Sequence, residues 1–159
     1  MVQAWSKLGL RRFPYRRAAK YIAAWPIVLI GCFIPIILIL NFLHIAPGEG
    51  HQKTSAIFSG GLMPGLLLAS VFVPVIEEIL FRGMLYPSLA NRYGMTAGLA
   101  LSSLIFAVVH INPIQMLTAI ILGPYLCWMY RRLGSIVPGM VLHALHNGAL
   151  TYFVITTSR

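Results

Sequence analysis

The lengths of the apolar stretches constrain this chain more than any other feature of its sequence. About 20 apolar residues are needed to cross a bilayer. The chain is 58% hydrophobic and 9% charged, whereas soluble domains are about 45–50% apolar and about 25% charged. A soluble fold of this size has too little interior to hide so much apolar surface. We therefore predict an all-α, polytopic transmembrane helical bundle with about five membrane helices, approximately Tyr21–Ile45, Ile57–Ala90, Met95–Ile111, Ile114–Tyr130 and Ser135–Thr156.

Basic residues are concentrated at the start of the chain. Residues 1–20 hold six of the twelve Lys and Arg residues. Such a cluster beside a membrane helix is typical of a cytoplasmic segment close to anionic lipid, so the expected partner is the bilayer and not nucleic acid. The first apolar stretch is too long for a signal peptide, and no cleavage site follows it. The sequence thus predicts a multi-pass integral membrane protein.

The remaining basic residues set the predicted orientation. With the N-terminus inside, nine basic residues fall on the inner side of the membrane, while Lys53 and Arg159 fall on the outer side. This asymmetry predicts a cytoplasmic N-terminus. We expect three regions: a basic cytoplasmic segment at 1–20, a first transmembrane helix with a polar loop at 21–56, and a core of about four transmembrane helices at 57–157.

Two of the three acidic residues stand side by side within an apolar stretch. Glu77 and Glu78 are followed by Arg82, while Glu49 lies in the polar loop. Ionisable residues inside a membrane span are costly and indicate function. Residues four apart share a helix face, which places Glu78 beside Arg82, and leaves Glu77 rotated by about 100°. We predict a Glu78–Arg82 ion pair and an unpaired Glu77; a single buried network of all three is the alternative.

Two more polar groups lie on later helices. Phe106 and His110 are four residues apart, as are His143 and Asn147, so each pair shares a helix face. Glu77 lies 16 residues before the turn near residue 93, and His110 lies 17 residues after it. At about 1.5 Å per residue, a hairpin brings these two to the same level. The spacing of the fifth helix permits His143 and Asn147 to share that layer.

This constellation suits hydrolysis. A carboxylate beside an imidazole can hold and deprotonate a water molecule, and a second imidazole and an amide can donate to a developing oxyanion. Zinc also binds glutamate and histidine. The His-Glu-x-x-His helix of zinc peptidases is absent from the sequence, so a zinc site has less support than a carboxylate-activated water. We expect no cofactor.

The three motifs together resemble a known family. Glu77-Glu78-x-x-x-Arg82, Phe106-x-x-x-His110 and His143-x-x-x-Asn147 are similar, in content and order, to the hallmarks of the CAAX protease and bacteriocin-processing (CPBP, or Abi) family of intramembrane endopeptidases. The resemblance covers approximately Gly61–Thr156.

The resemblance implies a function for each motif residue. Glu77 and His110 would activate the attacking water, and His143 and Asn147 would form the oxyanion site. Glu78 and Arg82 would be supporting residues, with Phe106 beside them. The substrate would be a membrane-associated protein or peptide, processed in the CAAX or bacteriocin manner. Family members commonly have more helices before the core than this chain does.

Two other functions stay open from the sequence. The polar cluster would also suit a non-enzymatic membrane interaction or self-immunity protein, in which it holds helices together or binds a partner. An ion or proton pathway is a weaker alternative. His146, about 60° around the helix from His143, could line the same cavity. The substrate and the oligomeric state are not indicated by the sequence.

Overall fold

A computed structural model describes residues 8–42, 44, 62–110 and 113–157, and these ranges hold five helices and no strand. The predicted all-α fold is therefore confirmed. The polar loop at 46–55, the predicted start of the second helix at 57–61, and the basic residues Lys7, Lys53 and Arg159 lie outside the described residues. The helices are α1, Tyr15–Phe42; α2, Leu62–Tyr93 in five segments given below; α3, Met95–Val108; α4, Pro113–Leu133; and α5, Val137–Thr157.

The first helix begins earlier than predicted. It starts at Tyr15 and not at Tyr21, because Pro14 supplies a favourable entry and the residues that follow are good helix formers. The carbonyl of Pro14 accepts a hydrogen bond from the amide of Ala18 at 3.0 Å. Ala18 is buried, so the basic start of α1 is part of the packed structure and not a separate tail.

The second helix alternates between α and π geometry. Its segments are Leu62–Leu67 (α), Leu68–Phe72 (π), Val73–Glu78 (α), Ile79–Leu85 (π) and Tyr86–Tyr93 (α). Each π segment ends two residues before a proline, Pro74 or Pro87. A proline inside a helix lacks an N–H and clashes with the carbonyl four residues earlier. The wider turn relieves that clash while the helix continues.

A tight hairpin joins α2 to α3, as the sequence predicted. Gly94 separates the two helices with φ 86° and ψ 160°, a conformation that favours glycine. Gly98 lets the helices approach closely, because a Cβ at this position would lie 2.6 Å from the backbone nitrogen of Ala90. Gly98 thus has a packing role, whereas nothing lies within 4 Å of a Cβ at Gly94.

The last three helices differ from prediction at their ends. The third helix stops at Val108, short of the predicted Ile111, since a following Asn-Pro pair disfavours helical geometry. The fourth helix ends at Leu133, followed by Gly134 at φ 69°. The hydroxyl of Ser135 accepts a hydrogen bond from the amide of Val137 at 3.3 Å and so caps the start of α5.

The helices pack around two apolar clusters. The larger cluster joins α1, α4 and α5 through buried residues that include Trp25, Leu126 and Leu142. The smaller one joins α3 and α4 through Phe106, Ala107 and Ala119, with Phe81 of α2 against it. The fifth helix contacts α1, α2 and α4. This central position brings the polar residues of α5 within reach of those on α2.

Two of the helices are long and apolar enough to cross a membrane. They cover Tyr15–Leu38 and Met63–Tyr93, and a shorter apolar helix covers Met95–Val108. Large apolar side chains on these helices are exposed, including Ile27, Phe42 and Val108 at 75%, 83% and 63%. Exposed apolar surface of this kind is what a lipid-facing helix presents.

Replacing Gly98 with Ala should loosen the α2–α3 hairpin. The added Cβ would overlap the Ala90 backbone, and overpacking of this kind costs about 1–3 kcal/mol. We expect a lower unfolding free energy for Gly98→Ala, measured by denaturant titration in detergent micelles.

The matched control for that variant is Gly31→Ala in α1. Nothing lies within 4 Å of a Cβ at Gly31, and alanine is about 0.5–1 kcal/mol more favourable than glycine inside a helix. Equal stability of the two variants would show that the Gly98 contact does not hold the hairpin together.

Candidate active site

The acidic pair lies at the end of the short α segment that separates the two π segments of α2. Glu77 and Glu78 end the α segment between them, and Arg82 lies in the second π segment. Local π turns occur frequently at functional sites. The carboxylates are therefore carried by an irregular part of the helix.

Glu78 and Arg82 form the ion pair that their spacing predicts. Arg82 Nη1 donates to Glu78 Oε1 at 2.7 Å, and both side chains are almost fully buried. Arg82 Nη2 donates to the carbonyl of Gly123 in α4 at 3.2 Å. The guanidinium also lies 4.3 Å from the centre of the Phe106 ring, at cation–π distance. The buried charge of Arg82 is thus compensated by groups on three helices, α2, α3 and α4.

Glu78 has a second partner that the sequence did not indicate. The same oxygen, Oε1, lies 3.1 Å from His143 Nδ1. Because a carboxylate only accepts, Nδ1 is the donor of this bond. The other oxygen, Oε2, has no hydrogen-bond partner among the described residues and faces Gly139, where a Cβ would lie 3.0 Å away. Glu78 therefore orients His143 as well as neutralising Arg82.

Glu77 lies between two imidazoles. Its Oε1 is 3.9 Å from His110 Nε2, and its Oε2 is 3.5 Å from His143 Nε2. The side chains of Glu77 and His110 are about one-fifth exposed, at 20% and 19%. Neither contact is a direct hydrogen bond. The predicted convergence of helices α2, α3 and α5 therefore occurs, and Glu77 is separated from the Glu78–Arg82 pair.

His110 follows the last turn of α3 instead of lying within the helix. Its amide hydrogen-bonds to the carbonyl of Ala107 at 3.1 Å, and its Nδ1 is 2.7 Å from the carbonyl of Phe106. A carbonyl only accepts, so Nδ1 carries the hydrogen of that bond. In the neutral ring, Nε2 is then an acceptor, and this is the atom that faces Glu77.

Phe106 packs against both imidazoles and the guanidinium of the site. It is fully buried, and its ring lies edge-on to His110 at 4.9 Å and to His143 at 5.7 Å between centroids. Phe81 packs against it at 5.0 Å. The aromatic ring fixes the spacing between the two imidazoles and the guanidinium.

Asn147 lies one turn along α5 from His143. Its Nδ2 donates to the carbonyl of Ala69, in the first π segment, at 3.3 Å. A side-chain amide has two N–H hydrogens, so one is left for another acceptor. Asn147 thus lies on the α5 turn that follows His143, and its hydrogen bond goes to the α2 backbone.

His146 has its hydrogen-bond partner on the first helix. Its Nδ1 accepts a hydrogen bond from the indole nitrogen of Trp25 at 3.3 Å. Sequence reasoning did not single out Trp25, Ala69 or Gly123. The last two contribute only backbone carbonyls, for which a sequence carries no signal.

Catalytic zinc is typically held by three protein ligands. Within the ranges that the structure describes, no group of three or more His, Cys, Asp and Glu residues is arranged to hold a metal ion.

Comparison with known proteins agrees with the motifs. A family model described as type II CAAX prenyl endopeptidase Rce1-like matches residues 59–149, a region that includes every motif residue from Glu77 to Asn147. The resemblance predicted from the three motifs is thus confirmed. The first helix, α1, lies outside the match.

One curated relative is similar over part of its length. UPF0177 protein YxdF from Lactococcus lactis subsp. lactis (strain IL1403) is 27% identical over 81 residues, which is 50% of this chain and 44% of the relative. The chain therefore matches less than half of that relative. No solved structure shows a significant match.

Replacing Arg82 with Met should destabilise the protein strongly. Glu78 would stay buried without its counter-charge, and breaking a buried pair in this way costs about 3–5 kcal/mol. The double variant Glu78→Leu/Arg82→Met should lose less, since no uncompensated charge is left. The unfolding free energy in detergent measures both.

Arg92→Met is the matched control, because Arg92 lies on the same helix and is exposed. Exposed substitutions of this kind change stability by about 0.5 kcal/mol or less. An Arg82 variant no less stable than the Arg92 variant would contradict the central role given to the buried pair.

Proposed function

The chain belongs to the type II CAAX prenyl endopeptidase Rce1-like family, and on this basis we propose that it is an intramembrane endopeptidase. The family is membrane-embedded. The proposed substrate is a membrane-associated protein or peptide, processed in the CAAX or bacteriocin manner. The proposed reaction is hydrolysis of a peptide bond by a water molecule that Glu77 and His110 activate.

One observation carries this proposal. Glu77 Oε1 and His110 Nε2 are both acceptors and lie 3.9 Å apart, too far for a direct hydrogen bond but suitable for a bridging water. A water molecule that donates one hydrogen to each keeps its oxygen lone pairs free. That is the orientation required of a nucleophilic water.

The other motif residues would stabilise the reaction intermediate. As the water attacks, a C–O bond forms and the carbonyl oxygen becomes negative, while the water proton passes to the Glu77–His110 pair. His143 would act as an imidazolium between Glu77 and Glu78, so that it keeps Nδ1–H on Glu78 and has an Nε2–H for the oxyanion. The second N–H of Asn147 would also donate to the oxyanion; one such donor is typically worth about 10²–10³ in rate. The proton then passes to the leaving amine as the C–N bond breaks.

Glu78, Arg82 and Phe106 would act as supporting residues. Glu78 accepts from His143 Nδ1, which turns Nε2 toward Glu77 and the reacting group. Arg82 keeps Glu78 charged and in place. This arrangement parallels the carboxylate that orients the histidine of a serine-protease triad.

We further propose a multi-pass topology with the N-terminus in the cytoplasm. The start of α1, the end of α2 and the end of α4 share one end of the bundle, because Gly9 O bonds to Ile136 N at 2.9 Å and Arg131 contacts Met95. The exposed basic residues of those segments are Arg11, Arg12, Arg16, Arg17, Lys20, Arg92, Arg131 and Arg132. Such a basic end favours the cytoplasmic side.

Glu77→Gln and His110→Ala should each abolish most of the proteolysis. The first variant keeps the shape of the side chain but removes the base, and the second removes the other acceptor for the water. Loss of a general base costs about 10²–10⁴ in rate. The assay measures fragments released from a prenylated CAAX-box peptide and from membrane-anchored peptides without a prenyl group, in lipid vesicles that contain the protein.

His44→Ala is the control, because His44 is an exposed histidine outside the three motifs and its loss should leave the rate unchanged. Proteolysis that survives both Glu77→Gln and His110→Ala would refute the mechanism. A wild-type protein that binds these peptides and cleaves none of them would instead favour the non-enzymatic interaction function.

A second prediction concerns metal removal. We propose a metal-independent reaction, because no group of three or more possible metal ligands is found among the described residues and the water can be oriented by two side chains. Preincubation with EDTA or 1,10-phenanthroline, followed by dialysis, should therefore leave the initial rate within about twofold of the untreated protein, whereas a catalytic zinc supplies several kcal/mol. Loss of activity that added zinc restores would contradict this mechanism.

A further inference from the structure

The face of α5 that carries His146 contacts α1. His146 and Trp25 are both buried, with 6% and 4% of their surface exposed. Their rings meet edge-on with centroids 5.4 Å apart, and the indole nitrogen lies 3.3 Å from His146 Nδ1. A buried hydrogen bond between two side chains thus joins α5 to a helix outside the family match.

The direction of this bond defines the state of His146. An indole N–H can only donate, so Nδ1 must be the acceptor. The ring hydrogen is then on Nε2, and a second hydrogen on Nδ1 would oppose the indole N–H. While Trp25 is in place, His146 is therefore held as the neutral Nε2–H tautomer.

Trp25 is itself fixed by an aromatic cluster between α1 and α4. Its ring packs against Tyr125 at 5.1 Å, and Tyr125 packs against Trp128 at 5.4 Å. Trp128 contacts Tyr21 at 4.6 Å, and the Tyr125 hydroxyl donates to the backbone carbonyl of Tyr21 at 2.6 Å. The donor to His146 is consequently rigid.

One turn of α5 is held from two sides. Toward α2, His143 contacts Glu78 and Asn147 donates to Ala69 O. Toward α1, His146 accepts from Trp25. Rotation of this turn about the helix axis would break contacts on both sides. Because His146 lies about 60° around the helix from His143, the contact with Trp25 holds the same turn of α5 from a second direction.

We propose that Trp25 is a positioning residue of the active site: its indole N–H holds His146 and thereby keeps the α5 face with His143 and Asn147 turned toward Glu77. This inference rests on the proposed endopeptidase function. It assigns a role in the site to α1, although α1 lies outside the region that matches the family. Trp25 contacts no reacting atom, so its effect is transmitted through α5.

The test compares Trp25→Phe with Trp128→Phe in full-length protein in lipid vesicles. Both variants keep an aromatic ring in the same cluster, but only the first removes the donor to His146. With the prenylated CAAX-box peptide as substrate, Trp25→Phe should lower kcat about tenfold and leave KM within about twofold, since small misplacements of reacting groups slow the chemical step. Trp128→Phe should change neither constant.

A second pair of variants keeps the test decisive if Trp25→Phe does not fold. In His146→Asn the amide oxygen takes the position of Nδ1 and can still accept from Trp25, whereas His146→Leu removes the acceptor. We expect His146→Asn to retain most of kcat and His146→Leu to lose about as much as Trp25→Phe.

A readout independent of proteolysis is the ¹⁵N NMR spectrum of histidine-labelled protein. The wild type should show His146 as the Nε2–H tautomer, with its signal assigned by its loss in His146→Asn. Trp25→Phe should remove that signature and shift the His143 signals, while Trp128→Phe should preserve both.

Three outcomes would overturn the inference. The first is an unchanged tautomer and kcat in Trp25→Phe, and the second is an equal loss in Trp128→Phe. The third is equal kcat in His146→Asn and His146→Leu. Failure of the proposed endopeptidase function gives a different result, because cleavage would then be absent or independent of Glu77. In that case the NMR signals of His143 and His146 would still decide whether Trp25 positions α5.

Discussion

The buried pair of Glu78 and Arg82 is the interaction on which the arrangement of the site depends. A charge in an apolar interior is costly unless every part of it is compensated. Here the compensation comes from four helices. The two charges of the pair lie on α2, and the Phe106 ring of α3 lies against the guanidinium. The Gly123 carbonyl of α4 accepts from Arg82, and His143 of α5 donates to Glu78. The cost of leaving these charges unpaired therefore acts as a constraint on how the four helices can be placed.

That constraint separates the functions of two adjacent glutamates. Glu78 is fully enclosed and holds other groups in place. Glu77 is one-fifth exposed and makes no direct hydrogen bond to the imidazoles beside it. Neighbouring positions thus carry one carboxylate held by buried partners and one that is open to water.

Much of the fold and part of the site could be predicted from the sequence, because these features depend on residue spacing within one helix or one hairpin. The Glu78–Arg82 contact follows from a four-residue spacing, and the level of His110 relative to Glu77 follows from counting residues along a hairpin. The contact of His143 with both glutamates could not be predicted, because it depends on the rotation of α5. The same holds for Trp25, which is 121 positions away from His146, and for the Ala69 carbonyl, which carries no side-chain signal.

The π turns of α2 have a consequence for how sequences of this type can vary in length. A π turn contains one residue more than an α turn over the same hydrogen-bonded path, so loss of a single residue from Ile79–Leu85 would be absorbed by a return to α geometry. Positions inside the turn, such as Arg82, would shift, whereas the later part of α2 and the hairpin at Gly94 would keep their direction. A one-residue gap among relatives is accordingly compatible with the path of α2 in this segment, provided that the Glu78–Arg82 pair is kept.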